Sequence, residues 1–150
     1  AALLKVAGSN NIINLPRHYK GVTYGGTLAD TPTQVYTYTG VGLKPYSPVH
    51  VQGMRDGSGN LTINWVRRTR LSGEWRDGVD VPLAEAFEAY DVEILDGPDV
   101  VRTLRVTAPT ASYSAADQTT DFGSPQASIS IRITQISALV GRGTGAEEVV

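Results

Sequence analysis

The stretch SISIRITQIS, Ser128 to Ser137, places isoleucine at Ile129, Ile131 and Ile133, with a polar residue between each pair. A period of two sends these side chains to one face of an extended strand and scatters them around a helix, so the stretch must be a half-buried strand. The same alternation runs through TQVYTYTG (Thr33 to Gly40), LTINWV (Leu61 to Val66), YDVEIL (Tyr90 to Leu95) and VVRTLRVT (Val100 to Thr107). Between these runs RDGSGN, DGPD, APTA and DFGSPQ supply the glycine, proline, aspartate and asparagine that turns require. The chain is therefore expected to be all-β. Only PLAEAFEA, Pro82 to Ala89, has a helical composition, with proline at its start, and a loop with at most one or two helical turns is expected there.

Two prolines within GLKPYSPVH, Gly42 to His50, interrupt regular structure and mark a boundary. Residues 1–44 are expected to be a small β-rich segment of three or four short strands, the end of an upstream domain, with too few apolar residues for its own core. Residues 45–150 read as a seven-stranded sandwich: PVHVQGM as strand A, LTINWV as B, YDVEIL as C, VVRTLRV as C′, SYSA as E, SISIRITQI as F and GAEEVV as G. Leu61, Ile63 and Trp65 of strand B, Val92 and Ile94 of strand C, and Ile129, Ile131 and Ile133 of strand F are the expected core between two sheets. The tryptophan on strand B and the apolar strand C opening with Tyr90 resemble a fibronectin type III domain. The tyrosine common at the start of strand F is Ile129 here, so the turn from E to F must be secured in another way.

Thirteen Lys and Arg against fifteen Asp and Glu give a net charge of -2, which supplies no general attraction to a phosphate backbone, so no nucleic-acid partner is expected. The absence of cysteine excludes a disulfide framework and a thiolate metal site. No apolar run approaches the ~20 residues that span a bilayer, and AALLKVAG is too short and weakly flanked for a secretion signal; a soluble chain without membrane insertion is expected. The first residue is not methionine, and the expectation is that these residues were cut from a longer polypeptide or are its ordered part.

Candidate functional residues are few. Arg67, Arg68, Arg70 and Arg76 form a basic cluster after strand B, but Glu74, Asp77 and Asp80 interleave with it. The balance favours arginines and Trp75 that organise the loop between B and C by hydrogen bonds and stacking, over polyanion contact; an acidic patch on a partner subunit remains open as an interface. DGSGN, Asp56 to Asn60, has oxygen ligands at alternate positions, yet Leu61 and Arg67 stand where a calcium loop needs glycine and glutamate, so a hairpin turn is expected. GRGTG, Gly141 to Gly145, lacks the ending of a phosphate loop and is assigned to the F–G connection. His18 and His50 have no motif around them, and Glu85 and Glu88 have the spacing of one exposed helical turn. No catalytic residue, cofactor or metal is expected. Tyr36 and Tyr38 lie two apart on one strand and share a face, for which burial between this segment and the next domain is the favoured expectation, over a protein interface or a sugar platform.

LTINWVRRTRLSGEWRDGVDVPLAEAFEAYDVEILDG, with VVRTLRVTAP, ADQTTDFG and QISALVGRG after it and VYTYTGVGLKPYSPVHV before it, resembles the C-terminal region of the tail-tip proteins of siphophages and gene transfer agents. Those proteins carry a glycoside-hydrolase-like TIM barrel upstream. The barrel is absent from this chain and no hydrolase activity comes with the resemblance. What the resemblance implies is a structural role in a virion baseplate, beside other tail and baseplate proteins, as a homotrimer, and in contact with a tail fibre or a host surface glycan. The interface candidates under this reading are Arg67, Arg68, Arg70, Trp75, Arg76, Tyr36 and Tyr38. The alternative is a carbohydrate-binding accessory module of a secreted glycoside hydrolase.

Overall fold

The computed structural model of the chain describes residues 8–74 and 78–150. It divides into two units, Ala1–Leu43 and Lys44–Val150.

The first unit is a two-stranded antiparallel ribbon. Strands β1 (Pro16–Tyr19) and β2 (Gln34–Thr37) pair with Arg17 opposite Tyr36 and His18 opposite Val35. Two strands, with a 3-10 turn at Asn10–Ile12 and another at Val41–Leu43, stand among the described residues in place of the three or four strands expected. The reason lies between Lys20 and Thr33, where glycines and short polar bonds, such as Thr27 Oγ1 to Asp30 at 2.5 Å, make turns instead of a ladder. Gly40 is the one buried residue of the described part of this unit.

The second unit is a sandwich. Strands β3 (Val49–Arg55), β4 (Leu61–Val66) and β7 (Thr110–Tyr113) form a three-stranded sheet in the order β3-β4-β7. Strands β5 (Tyr90–Asp96), β6 (Asp99–Val106), β8 (Ser130–Ser137) and β9 (Gly141–Val149) form a four-stranded sheet in the order β6-β5-β8-β9. All pairings are antiparallel. Strands A, B and E thus face C′, C, F and G, the arrangement of a fibronectin type III-like sandwich. The inner faces meet through register: Ile63 sits opposite Ala111 and Leu61 opposite Tyr113 in one sheet, while Val92 lies between Leu104 and Ile133 in the other. All eight core residues read from the sequence are buried in one cluster, joined by Tyr90, Ala111 and Tyr113. Trp65 meets Tyr90 edge to face, with ring centroids 5.1 Å apart, the favoured geometry for two aromatic quadrupoles.

Three local expectations need correction. Pro82–Ala89 is loop, within the expectation of at most one or two helical turns, but Glu85 and Glu88 do not form an exposed turn: they pair with Arg70 and Arg67. Strand E is Thr110–Tyr113 instead of Ser112–Ala115, because Ser114 caps a helix, α1 (Ala115–Phe122). The Ser114 hydroxyl accepts from the Asp117 backbone N–H, and Gly123 ends the helix with a positive φ of 82°. Strand G begins at Gly141, so GRGTG is strand and not loop, and the F–G connection shrinks to Ala138–Val140. Glycine is needed there because a Cβ on Gly143 would lie 2.8 Å from the Pro45 carbonyl oxygen and 3.0 Å from that of Gln135.

Asp56 and Asn60 close the β3–β4 hairpin as expected. The Asp56 carboxylate accepts from the backbone N–H groups of Ser58 and Asn60 and from the Asn60 amide. The Asn60 bonds, with smaller help from Ser58, hold its pKa below the usual aspartate value.

Candidate functional site

The arginines that follow β4 are bound to their own loop. Arg67 donates to Glu88 at 3.0 Å and to the Val81 carbonyl at 2.6 Å, and its guanidinium lies 2.8 Å from the Asp80 carboxylate. Burial opposes its charge, but Glu88 and Asp80 outweigh that and leave the pKa raised. Arg70 is paired with Glu85 at 2.7 Å, with side chains 12% and 5% exposed. Arg68, the exposed member of the three, donates twice to Ser47 and stands 5.5 Å above the Tyr46 ring. The two ends of the 67–89 loop are thereby tied together. Trp75 and Arg76, the remaining candidates in this loop, lie outside the described residues.

Glu88 also joins the loop to the core. Its Oε1 accepts from the Tyr90 hydroxyl at 2.8 Å as well as from Arg67. Burial first, and then the Glu88 bond, push the Tyr90 pKa far above that of a free phenol, so this hydroxyl is a permanent donor at any ordinary pH. The arrangement stabilises a neutral phenol.

A second set of charges covers the outside of the four-stranded sheet, and sequence reasoning missed it. Asp91 and Glu93 alternate with Tyr90, Val92 and Ile94 on β5, so they point away from the core, yet both are buried. They are roofed by arginines from three other strands. Arg105 grips Asp91 with two bonds, 2.7 and 3.0 Å; Arg132 meets Glu93 at 2.7 Å; Arg142 bridges Asp91 and Glu93. Asp91 is held below the usual aspartate range chiefly by the Arg105 bond. For Glu93 burial is the largest effect and raises the pKa, but the bonds from Arg142 and Arg132 together reverse it. Carboxylates alternating within an apolar strand were the available signal; their partners lie 14 to 51 residues away in sequence.

A third set secures the connection from β7 to β8. Arg102 of β6 makes two bonds to Asp121 of α1, at 2.6 and 3.0 Å, and pairs with Asp117 at 3.1 Å. Tyr113 donates to the same Asp121 at 2.7 Å. Within the helix, Gln118 is fully buried and donates to the carbonyls of Gly59 and Tyr113 while its oxygen accepts from Arg55 and the Gln126 N–H. This helix and its clamp do the work of the missing tyrosine at the start of strand F.

The tyrosine pair separates. Tyr36 is 61% exposed on β2, whereas Tyr38 lies just past the strand and is half-buried. His18 is exposed on β1, and His50 is exposed on β3 with a positive φ of 51° at a bulge. Among the described residues no group of three or more His, Asp or Glu is placed to hold a metal ion, and no helix is long and apolar enough to cross a membrane.

These features define a class: a fibronectin type III-like β-sandwich, preceded by a β-ribbon, whose charged side chains are spent largely on internal bonds. No protein-family model matches the chain. No curated protein matches it either. Among solved structures it is similar to the rat CD45 extracellular region, domains d3-d4, with a TM-score of 0.50 and 8% identity over 100% of this chain and 69% of that one. At that identity the likeness shows the fold alone.

Proposed function

We propose that the chain is a structural module of a phage-like tail tip or baseplate, present in the virion and contributing to tail assembly, fibre attachment or contact with the host cell. The reading starts from the resemblance of LTINWVRRTRLSGEWRDGVDVPL and its flanking stretches to tail-tip C-terminal regions. The structural observation that carries it is the inward use of charge: Arg67, Arg70, Arg102, Arg105, Arg132 and Arg142 are each committed to carboxylates of the same sandwich. Such groups stiffen a scaffold and are poorly suited to acid-base work or to phosphate binding. The reading assigns no enzymatic role and no nucleic-acid partner, and takes other tail proteins, and further copies in a homotrimer, as the neighbours.

Cryo-electron microscopy of the particle containing this chain tests the proposal: density for the sandwich at a tail tip is the expected result. The alternative, a carbohydrate-binding accessory module, draws on the exposed Tyr36 beside Arg17. Glycan-array binding by the chain that is abolished in Tyr36→Ala, together with its occurrence in a free secreted protein and in no particle, would replace the tail reading with that one.

A further inference from the structure

We propose that Asp96 is a site of spontaneous covalent modification, at which the chain closes a succinimide ring with Gly97 and reopens it as isoaspartate. The inference rests on the β5–β6 hairpin and not on the tail-tip reading.

The step Asp-Gly occurs three times, at Asp56, Asp77 and Asp96. Glycine has no Cβ to shield its backbone nitrogen, so ring closure at such a step is governed by what holds the aspartate. Asp77 lies outside the described residues. Asp56 is held: its carboxylate accepts from the N–H groups of Ser58 and Asn60 and from the Asn60 amide, and these bonds keep it ionised. A carboxylate fixed in this way neither turns toward Gly57 nor takes up the proton that lets a hydroxyl leave.

Asp96 is differently placed. It ends β5, and Gly97 and Pro98 form the two-residue turn into β6, with Gly97 at a positive φ of 59°. Among the described residues the Asp96 carboxylate makes no hydrogen bond or ion pair, and the Gly97 N–H makes no backbone bond. A Cβ on Gly97 would meet nothing within 4 Å, so the ring has room. Asp96 also pairs with Asp99 in the ladder, which sets two carboxylates directly opposite each other. Ring closure discharges one of them and removes the repulsion.

The atoms balance through one water molecule. The Gly97 nitrogen attacks Cγ of the protonated Asp96 side chain and gives up its proton, and the hydroxyl leaves as water. Water then opens the ring at either carbonyl. Attack at Cγ restores aspartate; attack at the main-chain carbon leaves the peptide bond on Cγ, which is isoaspartate. The added backbone methylene falls on the turn side of the bulge at Ile94 and Leu95, which separates the tip from the ladder that carries Asp91 and Glu93.

The test is incubation of the unmodified 150-residue chain in oxygen-18 water at neutral pH, then trypsin digestion in ordinary water and fragment-ion mapping. Each passage through the ring leaves one heavy oxygen. Label and isoaspartate should accumulate several-fold faster at Asp96 than at Asp56 in the folded chain, and at similar rates in the chain unfolded by urea. Asp96→Asn closes the same ring with loss of ammonia and should convert to the acid forms faster than Asp96 itself takes up label. Equal labelling of Asp96 and Asp56 in the folded chain overturns the proposal, as does label confined to Asp56 or Asp77, or an Asp96→Asn chain that keeps its amide.

Discussion

Trp65 is the residue on which the two sheets depend most. It is 4% exposed and lies edge-on to Tyr90, whose hydroxyl is fixed by Glu88, which Arg67 holds in turn. One chain of contacts therefore runs from the centre of the core to the end of the 67–89 loop. Trp65→Ala should destabilise the sandwich by about 3–5 kcal/mol in urea unfolding, since it removes a large ring and leaves a cavity that strands on both sides cannot close. Tyr90→Phe keeps the ring contact and loses one bond to a carboxylate that Arg67 still satisfies; a loss of about 1 kcal/mol is expected. If the two substitutions cost the same, the polar chain and not the ring packing would be the main support. The burial of Trp65 was legible from the alternation in LTINWV alone. Its link to Glu88 was not, because Glu88 sits in a stretch whose composition suggests a helical turn.

At the scale of elements, local signals and tertiary demands can be told apart. Helix α1 was not expected: Ser114, with Asp117 three residues later, and Gly123 cap it, but it spans eight residues with little apolar periodicity, so no helical pattern stood between the caps. GRGTG has the composition of a loop, and its strand conformation comes from pairing with β8, with Gly141 opposite Ser137, Arg142 opposite Ile136 and Gly145 opposite Thr134; on its other side Thr144 donates to the Pro45 carbonyl, and Gly143 makes room for that approach. Gly143→Ala should accordingly cost about 1–3 kcal/mol through forced displacement of backbone, while Gly57→Ala, which meets nothing within 4 Å, should stay within about 0.5 kcal/mol. The outer face of β5 gives a pH prediction. Asp91 and Glu93 have folded pKa values below their ordinary values of 3.8 and 4.5. As pH falls through those ordinary values the unfolded chain takes up protons first, so stability rises with pH across this window. The contribution is whole above the unfolded values and is lost as pH drops through the folded ones. In Asp91→Asn/Glu93→Gln the midpoint of thermal unfolding should fall less steeply between pH 5 and about 3 than in the unmodified chain. An unchanged slope would mean that the arginine roof contributes nothing through charge.

For the whole molecule, the distribution of burial decides what holds together. Among the described residues the buried apolar core, from Leu61 to Ile136, belongs to the unit Lys44–Val150, and each sheet of that unit pairs strands of the same unit. The described part of the other unit buries only Gly40, and its strands expose every residue. Short strands and a scatter of polar residues in the first third of the sequence already implied a segment without a core; what covers it depends on surfaces that no local pattern encodes. Cooperativity follows from shared burial, so the two units should unfold with very different stability. A chain shortened to residues 44–150 should give one denaturation transition, with a midpoint and a slope on denaturant close to those of the full chain, because slope follows the surface exposed and little of that is contributed by the ribbon. Residues 1–43 alone should show the circular dichroism and rapid amide exchange of an unfolded chain at low concentration. A large drop in the midpoint of the shortened chain would instead mean that the ribbon supports the sandwich directly, and would move the origin of the sandwich's stability from its own two sheets to the segment that precedes them.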